Sequence, residues 1–202
     1  MKRFFSMLCG VVMLGAALSV CTFAGRCVGV RENVVRLHIL ANSDSEADQA
    51  LKLNVRDAVT AASAGLLDGV TTRAEAEERL RAALPQLIET AQAAVYAGGY
   101  TYPVKAELTT MAFTTRVYDG ATFPAGQYHT VRFTIGEGAG RNWWCVMYPP
   151  LCVSAATDKD SLQKVMPSGA CEIVTASSRF TVRFKVVEWF EQIAEWFSKA
   201  GG

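Results

Sequence analysis

The sequence has little histidine and no excess of charge of either sign. Two of its 202 residues are histidine, and 20 Lys and Arg side chains nearly balance 19 Asp and Glu side chains, which leaves a net charge of +1. Domains that bind nucleic acid usually carry a basic excess, so this balance predicts no nucleic-acid partner. The six cysteines include no C-x-x-C pair, and no H-x-x-x-H pattern occurs, so the sequence predicts no metal site and no cofactor.

Charged side chains are also missing from a long stretch near the start of the chain. Residues 4–25 contain none, and Lys2 and Arg3 precede them. A basic start followed by an apolar run is typical of an export signal, and the run has about the 20 residues that a bilayer span needs. Residues 1–27 are therefore predicted to be a cleaved signal peptide or an uncleaved membrane anchor. In both cases Lys2 and Arg3 stay in the cytoplasm and residues 28–202 form an extracytoplasmic domain.

Small residues near the end of this run offer two cleavage sites for a signal peptidase. The −3 and −1 positions would be Ser19 and Cys21, or Thr22 and Ala24. Residues 18–21 also have a weak similarity to a lipoprotein cleavage box, in which Val20 is bulkier than the small residue expected there. The sequence leaves the cleaved and the retained forms open.

The rest of the chain predicts one α+β domain, with a mainly antiparallel sheet behind the N-terminal helix. Its 175 residues are enough to bury a single core. Alternation of apolar and polar residues indicates strands, and apolar stripes at helical spacing indicate helices. In chain order, the predicted elements are a strand at 34–41, helices at 46–62 and 72–97, several strands between 104 and 148, and a C-terminal helix at 179–197.

A proline and a glycine-rich segment interrupt these patterns, and each leads to a specific prediction. Pro85 lies well inside the second helix and predicts a kink or a break near Leu84, because proline lacks the N–H that the helix needs. Gly136, Gly138 and Gly140 form a glycine-rich loop, but no Lys-Ser or Lys-Thr pair follows. The loop is therefore no phosphate-binding loop, and the sequence predicts a tight hairpin there.

Polar and aromatic residues at two predicted turns are the candidate partner-binding residues, since binding groups tend to lie in loops. The first group follows the first strand and enters the first helix, and the second group follows the glycine-rich loop. The candidates are Asn42, Ser43, Asp44, Asp48, Asn142, Trp143 and Trp144. The first group has a purely structural alternative, which is to cap the helix that begins there and to complement its dipole.

Cys145 and Cys152 bracket a short apolar segment, and outside the cytoplasm they are expected to form a disulfide. Cys171 is an alternative partner. A rival hypothesis makes Cys145 a catalytic thiolate activated by His38 or His129. No protease signature surrounds Cys145, and the two preceding tryptophans predict burial, so the disulfide is favoured.

Several long motifs resemble the stage II sporulation protein R family. They comprise RLHILANSDS at 36–45, DQALKL at 48–53, VRD at 55–57, PAG-x-Y at 124–128, IGEG-x-G-x-NWWCV at 135–146, YPPLC at 148–152 and RFKVVE at 183–188. The resemblance implies an exported signalling protein of endospore-forming bacteria with no catalytic role. The forespore would export it into the intermembrane space of the sporulation septum. There it would activate a membrane-embedded aspartic protease, which processes pro-sigma-E in the mother cell.

Two other function classes stay open. An exported cell-wall hydrolase would need a cleft with paired carboxylates or an exposed Cys145 near a histidine. A structural septal protein would associate tightly with itself and would not change proteolysis. The signalling hypothesis needs a contact surface rather than a reaction centre, and it implies no small-molecule substrate.

Overall fold

The computed structural model describes residues 2–118, 121–149, 162, 165–175, 184–189, 191, 193 and 196. The fold is α+β, as predicted, with an apolar N-terminal helix in front of a mainly antiparallel sheet. In chain order, the elements are α1 (Lys2–Glu32), β1 (Val35–Leu40), α2 (Glu46–Ala64), α3 (Arg73–Ala97), β2 (Val104–Phe113), β3 (Arg116–Tyr118), β4 (Ala121–Phe123), β5 (Gly126–Ile135), β6 (Asn142–Tyr148) and α4 (Ser168–Thr175). Residues 184–189 are helical as well.

The main sheet has four strands in the order β2-β5-β1-β6. β2 pairs antiparallel with β5, and β1 pairs antiparallel with β6, but β1 and β5 run parallel. β3 and β4 form a separate two-stranded antiparallel hairpin. The predicted antiparallel character is therefore confirmed, with one parallel pair at the centre of the sheet.

The glycine-rich loop does not make the predicted hairpin. β5 and β6 flank β1 on opposite sides and do not pair with each other. The loop between them crosses the end of β1, which brings its backbone against the residues that follow that strand. Gly136 and Gly138 have φ angles of +57° and +64°, and a Cβ on Gly140 would lie 2.1 Å from the carbonyl oxygen of Ser43. Glycine is required here by the close crossing of two loops.

Helices α2 and α3 cover one face of the sheet. Both helices begin at capping residues that the sequence provides. The side chains of Ser45 and Thr72 accept hydrogen bonds from the N–H groups of Asp48 and Glu75, which satisfies free donors at each helix start. The buried core between helices and sheet is Val35, Leu37, Ile39, Leu51, Val55, Val59, Leu80, Leu87, Ala91, Val131, Phe133 and Ile135. Alternate strand residues face the helices, and the others face away.

α3 runs without a break from Arg73 to Ala97, so of the predicted kink or break near Leu84 the break does not occur. Pro85 lies on the exposed side of the helix, where water can satisfy the backbone carbonyl that loses its donor. The apolar side, with Leu80 and Leu87, stays packed against the sheet. Packing energy outweighs the local cost of proline.

Among the residues that the structure describes, the second face of the sheet is covered only at one end. The end of α1, the β3–β4 hairpin and α4 pack there around the first residues of β5. This second cluster contains Val30, Val34, Phe113, Ala121, Phe123, Tyr128, Val146, Leu162, Met166, Ala170, Cys171 and Val174. At the other end, Lys105 and Glu107 on β2 and Asn142 on β6 remain exposed. The two faces thus differ in chemistry, one apolar and the other partly polar and open.

α1 is a single helix of 31 residues that continues across residues 27 and 28. Its described side chains from residue 6 to residue 18 are all exposed, whereas Phe23, Cys27 and Val30 are buried. The helical residues 184–189 pack against this last part of α1, where Phe184 and Val187 are buried beside Phe23. They lie in the predicted C-terminal helix, of which the other parts fall outside the described residues, apart from 191, 193 and 196.

Candidate functional site

The two groups of predicted binding residues lie together, at the end of the sheet where β1 finishes. We call residues 42–48 and 136–142 the loop corner. Four backbone N–H groups of the second segment donate to residues 41–44. Gly140 N–H donates to Ala41 O at 3.0 Å, Ala139 N–H to Asn42 O at 3.2 Å, Glu137 N–H to Asn42 Oδ1 at 3.1 Å and Arg141 N–H to Asp44 Oδ1 at 2.7 Å. The loop corner is therefore one structural unit, although its halves are almost a hundred residues apart in the chain.

Asp48 is the buried centre of the first half. Its carboxylate accepts from Ser43 Oγ at 2.6 Å and from Asn42 Nδ2 at 2.9 Å, and only 4% of the residue is exposed. The bond from Ser43 is the main cause that holds the pKa of Asp48 below its ordinary value. Asn42, Ser43 and Asp48 thus use their polar groups within the fold, which supports the capping alternative for them.

Lys52 ties helix α2 to the second half of the loop corner, and sequence reasoning missed it. Its ammonium group donates to Gln49 Oε1 at 2.6 Å and to the carbonyl oxygen of Arg141 at 3.0 Å. Burial lowers the pKa of Lys52. The sequence contained one clue to this role. Lys52 lies one helical turn after Asp48 on the apolar side of α2, and a lysine buried there needs oxygen atoms as partners.

Trp143 and Trp144 point to opposite faces of the sheet, as neighbours in a strand must. Trp143 packs on the helix-covered face, and the guanidinium carbon of Arg56 lies 4.5 Å from its ring centroid. Trp144 lies on the other face and stacks on the His38 ring, with centroids 3.9 Å apart and an interplanar angle of 8°. Consecutive tryptophans therefore have different environments.

His38 joins Trp144 and Asn142 into a second small unit, which we call the His38 cluster. His38 Nε2 donates to Asn142 Oδ1 at 2.8 Å, and only 3% of His38 is exposed. Burial lowers the pKa of His38, an effect that the Asn142 bond partly opposes and that nearby Arg132 reinforces. The imidazole is consequently neutral at pH 7.

Arg36 is a further polar residue whose burial the strand pattern did not predict. It is fully buried, and its guanidinium donates to Tyr118 Oη at 2.6 Å and to the carbonyl oxygen of Cys145 at 3.0 Å. The guanidinium carbon lies 4.4 to 5.6 Å from the ring centroids of Phe113, Tyr118, Phe123 and Tyr128. Burial lowers its pKa. Aromatic faces thus surround this cation, and the described part of the chain gives it no carboxylate partner.

Cys145 forms a disulfide. Cys152, its predicted partner, lies outside the described residues, so the pairing stays a prediction. Cys145 and His38 belong to opposite faces of the sheet, because Cys145 is opposite Leu37 in the β1–β6 pairing. Because the sulfur of Cys145 is engaged in the disulfide, it offers no free thiol for either His38 or His129 to activate. No group of three or more metal-ligating side chains occurs in the part of the chain that the structure describes.

Of the seven candidates, Asp44 and Asn142 are exposed, Asn42, Ser43, Trp143 and Trp144 are half-buried, and Asp48 is buried. The structure brings all seven to one end of the sheet. Asp44, Asn142 and Trp144 are the members with surface available to a partner. The site is a surface built on strand ends, and a pocket lined by Lys105, Glu107, Arg132, Gly136 and Glu137 adjoins it.

The comparisons with known proteins indicate the same family as the sequence motifs of this chain. Residues 31–158 match the family of stage II sporulation protein R. The chain is 31% identical over 188 residues to stage II sporulation protein R of Bacillus subtilis (strain 168), an alignment that covers 82% of this chain and 84% of that protein. No solved structure matches. The matched segment begins in the last turn of α1 and includes the loop corner and the His38 cluster, and the chain belongs to the stage II sporulation protein R family.

Proposed function

We propose that this protein is the exported signal by which the forespore activates a membrane-embedded aspartic protease during sporulation. The activated protease processes pro-sigma-E in the mother cell. The signal acts in the intermembrane space of the sporulation septum and is not itself an enzyme. Membership of the stage II sporulation protein R family is the single observation that carries this proposal.

The chain's own features support it. A helix long and apolar enough to cross a membrane precedes the domain, as an exported protein requires. Activation by binding requires that the signal favour the active arrangement of its target by differential affinity. A rigid surface on strand ends suits that task, because little ordering entropy is lost on binding.

In this proposal, the surface that contacts the protease includes Asp44, Asn142 and Trp144. Asp44 and Asn142 are exposed, and Trp144 is an aromatic anchor already held in place by His38. Rigid, partly exposed aromatic side chains dominate many interfaces. Asn42, Ser43, Asp48 and Trp143 support the same surface from within, because their polar groups or rings contact the chain itself.

The test is to produce this protein, the protease and pro-sigma-E together in a vegetative cell and to follow the loss of the pro-sequence by gel shift. We expect processing only when the domain is delivered outside the membrane. A version without residues 2–21, which keeps the buried Phe23, stays in the cytoplasm and serves as the negative control. Absence of processing with a stable, exported protein would contradict the proposal.

Surface variants then locate the contact. Trp144→Ala and Asn142→Ala should reduce processing at least about tenfold if each anchors the interface with roughly 1.4 kcal/mol or more. Glu89→Ala, an exposed residue of α3, is the matched control and should process normally. Variants that fold and are exported but signal like the parent would place the contact elsewhere.

A further inference from the structure

The last third of α1 is built into the domain. Phe23, Cys27 and Val30 are 2%, 0% and 0% exposed, and their spacing of four and three residues places them on one side of the helix. The rings of Phe23 and Phe184 pack edge to face with centroids 5.3 Å apart. Gly29 lies beside α4, and a Cβ on it would be in ordinary van der Waals contact with Ala170 Cβ, at 3.5 Å. This part of α1 belongs to the core of the domain.

Polar contacts hold the same part of the helix. Arg26 forms an ion pair with Glu172 of α4 at 3.2 Å, and Arg31 forms one with Glu191. Arg31 also donates to the carbonyl oxygen of Ala125 at 2.9 Å. Only Asn33 and Val34 separate the end of α1 from β1. The helix therefore enters the domain rigidly, with no linker between them.

The first two thirds of α1 have the opposite character. From residue 4 to residue 21 the described side chains are exposed, except for the half-buried Ser19, and most of them are apolar. Phe4, Met7, Met13 and Leu14 are each more than 60% exposed. These 18 residues span about 27 Å as a helix, close to the roughly 30 Å of a bilayer's hydrocarbon core. Water is a poor environment for such a surface, and lipid is a good one.

The expected cleavage sites fall inside this continuous helix. Cleavage after Cys21 or after Ala24 would have to open helical backbone, which extends unbroken from Lys2 to Glu32. The bond after Cys21 lies among exposed residues just before the docked part of α1, whereas the bond after Ala24 lies within that part, where a docked helix resists proteases. Cleavage after Ala24 would also separate Phe23 from its core partners.

We infer that α1 is retained as an uncleaved membrane anchor, whose exposed apolar part lies in the hydrocarbon core of a bilayer and whose last third is part of the domain. Lys2 and Arg3 remain on the cytoplasmic side, as their position before the span requires. The domain is then fixed within a few residues of the outer membrane surface. A chain of this kind does not diffuse away from the membrane that exported it. This inference does not depend on which partner the domain contacts.

The test uses the full chain with a C-terminal tag, produced in a Gram-positive cell. The mass of the tagged product reports cleavage, and extraction of membranes with alkaline carbonate reports anchoring. We expect a chain that keeps residues 2–27 and stays in the carbonate-resistant pellet. A product shortened by 21 or 24 residues, a product that begins with lipidated Cys21, or a full-length chain that carbonate releases would each overturn the inference.

Two natural cysteines allow a second readout on the same protein. Cys9 and Cys21 are exposed on α1, whereas Cys27 and Cys171 are buried. In a Cys21→Ser variant, Cys9 should react with a membrane-impermeant maleimide about tenfold or more slowly in intact membranes than in detergent. A Cys9→Ser variant reports Cys21, at the outer end of the span, as the matched control. Equal labelling of Cys9 with and without detergent would contradict insertion.

Discussion

Arg36 and His38 show how single residues of β1 depart from the alternation that predicts the strand. Both lie on the face away from the helices, yet both are buried, Arg36 under the β3–β4 hairpin and His38 under Trp144. A desolvated cation held by aromatic faces is stabilised by about 2 kcal/mol, which partly offsets its lost hydration. Contacts with aromatic rings take the place of water around Arg36. Contacts with Trp144 and Asn142 take its place around His38.

Protonation of His38 should make stability depend on pH. Because burial lowers its pKa in the folded state, the unfolded chain binds the proton more readily, and stability is lost as pH falls below about 6.5. We expect the urea midpoint to decrease between about pH 7.5 and about pH 5.5. His38→Gln should flatten this slope.

His129 is the only other histidine and provides the matched control. A His129→Gln variant keeps the His38 cluster and should retain the slope. If the His38→Gln protein loses stability over the same pH range as the parent, the cause lies in another group.

At the scale of elements, the loop corner is held by contact between two backbone segments. The segment after β5 must pass the segment after β1 at close range, because β1 lies between β5 and β6. Gly140 allows this approach, since any side chain there would meet the Ser43 carbonyl group. The same geometry positions Arg141 against Asp44 and Lys52.

Gly140→Ala should therefore destabilise the protein by about 2 kcal/mol or more, the cost of forcing extra volume into a packed site. Gly65→Ala is the matched control, because Gly65 has a helical φ of −67° and a Cβ on it would meet nothing within 4 Å. It should be neutral or stabilise by about 0.4–1 kcal/mol. Urea unfolding of both variants measures the difference, and equal midpoints would show that the loop shifts freely.

At the scale of the whole molecule, the end of α1 is a structural part of the domain. It closes the second cluster through Val30 and forms a third one with Phe23 and Cys27. Removing residues before 28 would expose the apolar sides of Phe184 and Val187, which now pack against it. The stable unit thus begins before the residue that ends the predicted signal segment.

Two shortened chains test this. We expect a chain of residues 28–202 to be less stable than a chain of residues 22–202 by at least about 2 kcal/mol, since full burial of a phenylalanine alone stabilises by roughly 1.5–3 kcal/mol. Chemical denaturation of the two soluble chains measures it. Phe23→Ala in the longer chain should account for much of the loss. Equal stability would show that docking of α1 contributes little.

Local patterns were enough to predict most elements and their starts. The alternation at 34–41 predicted β1, and Ser45 and Thr72 cap α2 and α3 where the sequence expected helices to begin. These features depend on residues within a few positions of each other, so the sequence contains their full cause. Of the seven candidate residues expected at turns, Asn42, Ser43 and Asp44 lie in the segment after β1. Asp48 lies in the first turn of α2, and Asn142, Trp143 and Trp144 are the first residues of β6.

Long-range placement was beyond the sequence. The glycine-rich loop has the composition of a hairpin, and only the insertion of β1 between β5 and β6 decides that it crosses a strand instead. The same is true of α4 and of Arg36. Elements far away in the chain decide where α4 packs and which side chains bury Arg36. Strand pairing of this kind is set by the packing of the whole core, which no local window contains.

The sequence by itself determined the α+β class, the apolar N-terminal helix, the capped helices and the family, because composition, periodicity and long motifs are properties of the chain alone. The tertiary structure decided which polar residues are exposed and which support the fold. It also decided that the apolar helix is divided between an exposed apolar part and a part of the core. Both depend on which segments meet, and therefore on the free energy of the assembled core rather than on any single segment.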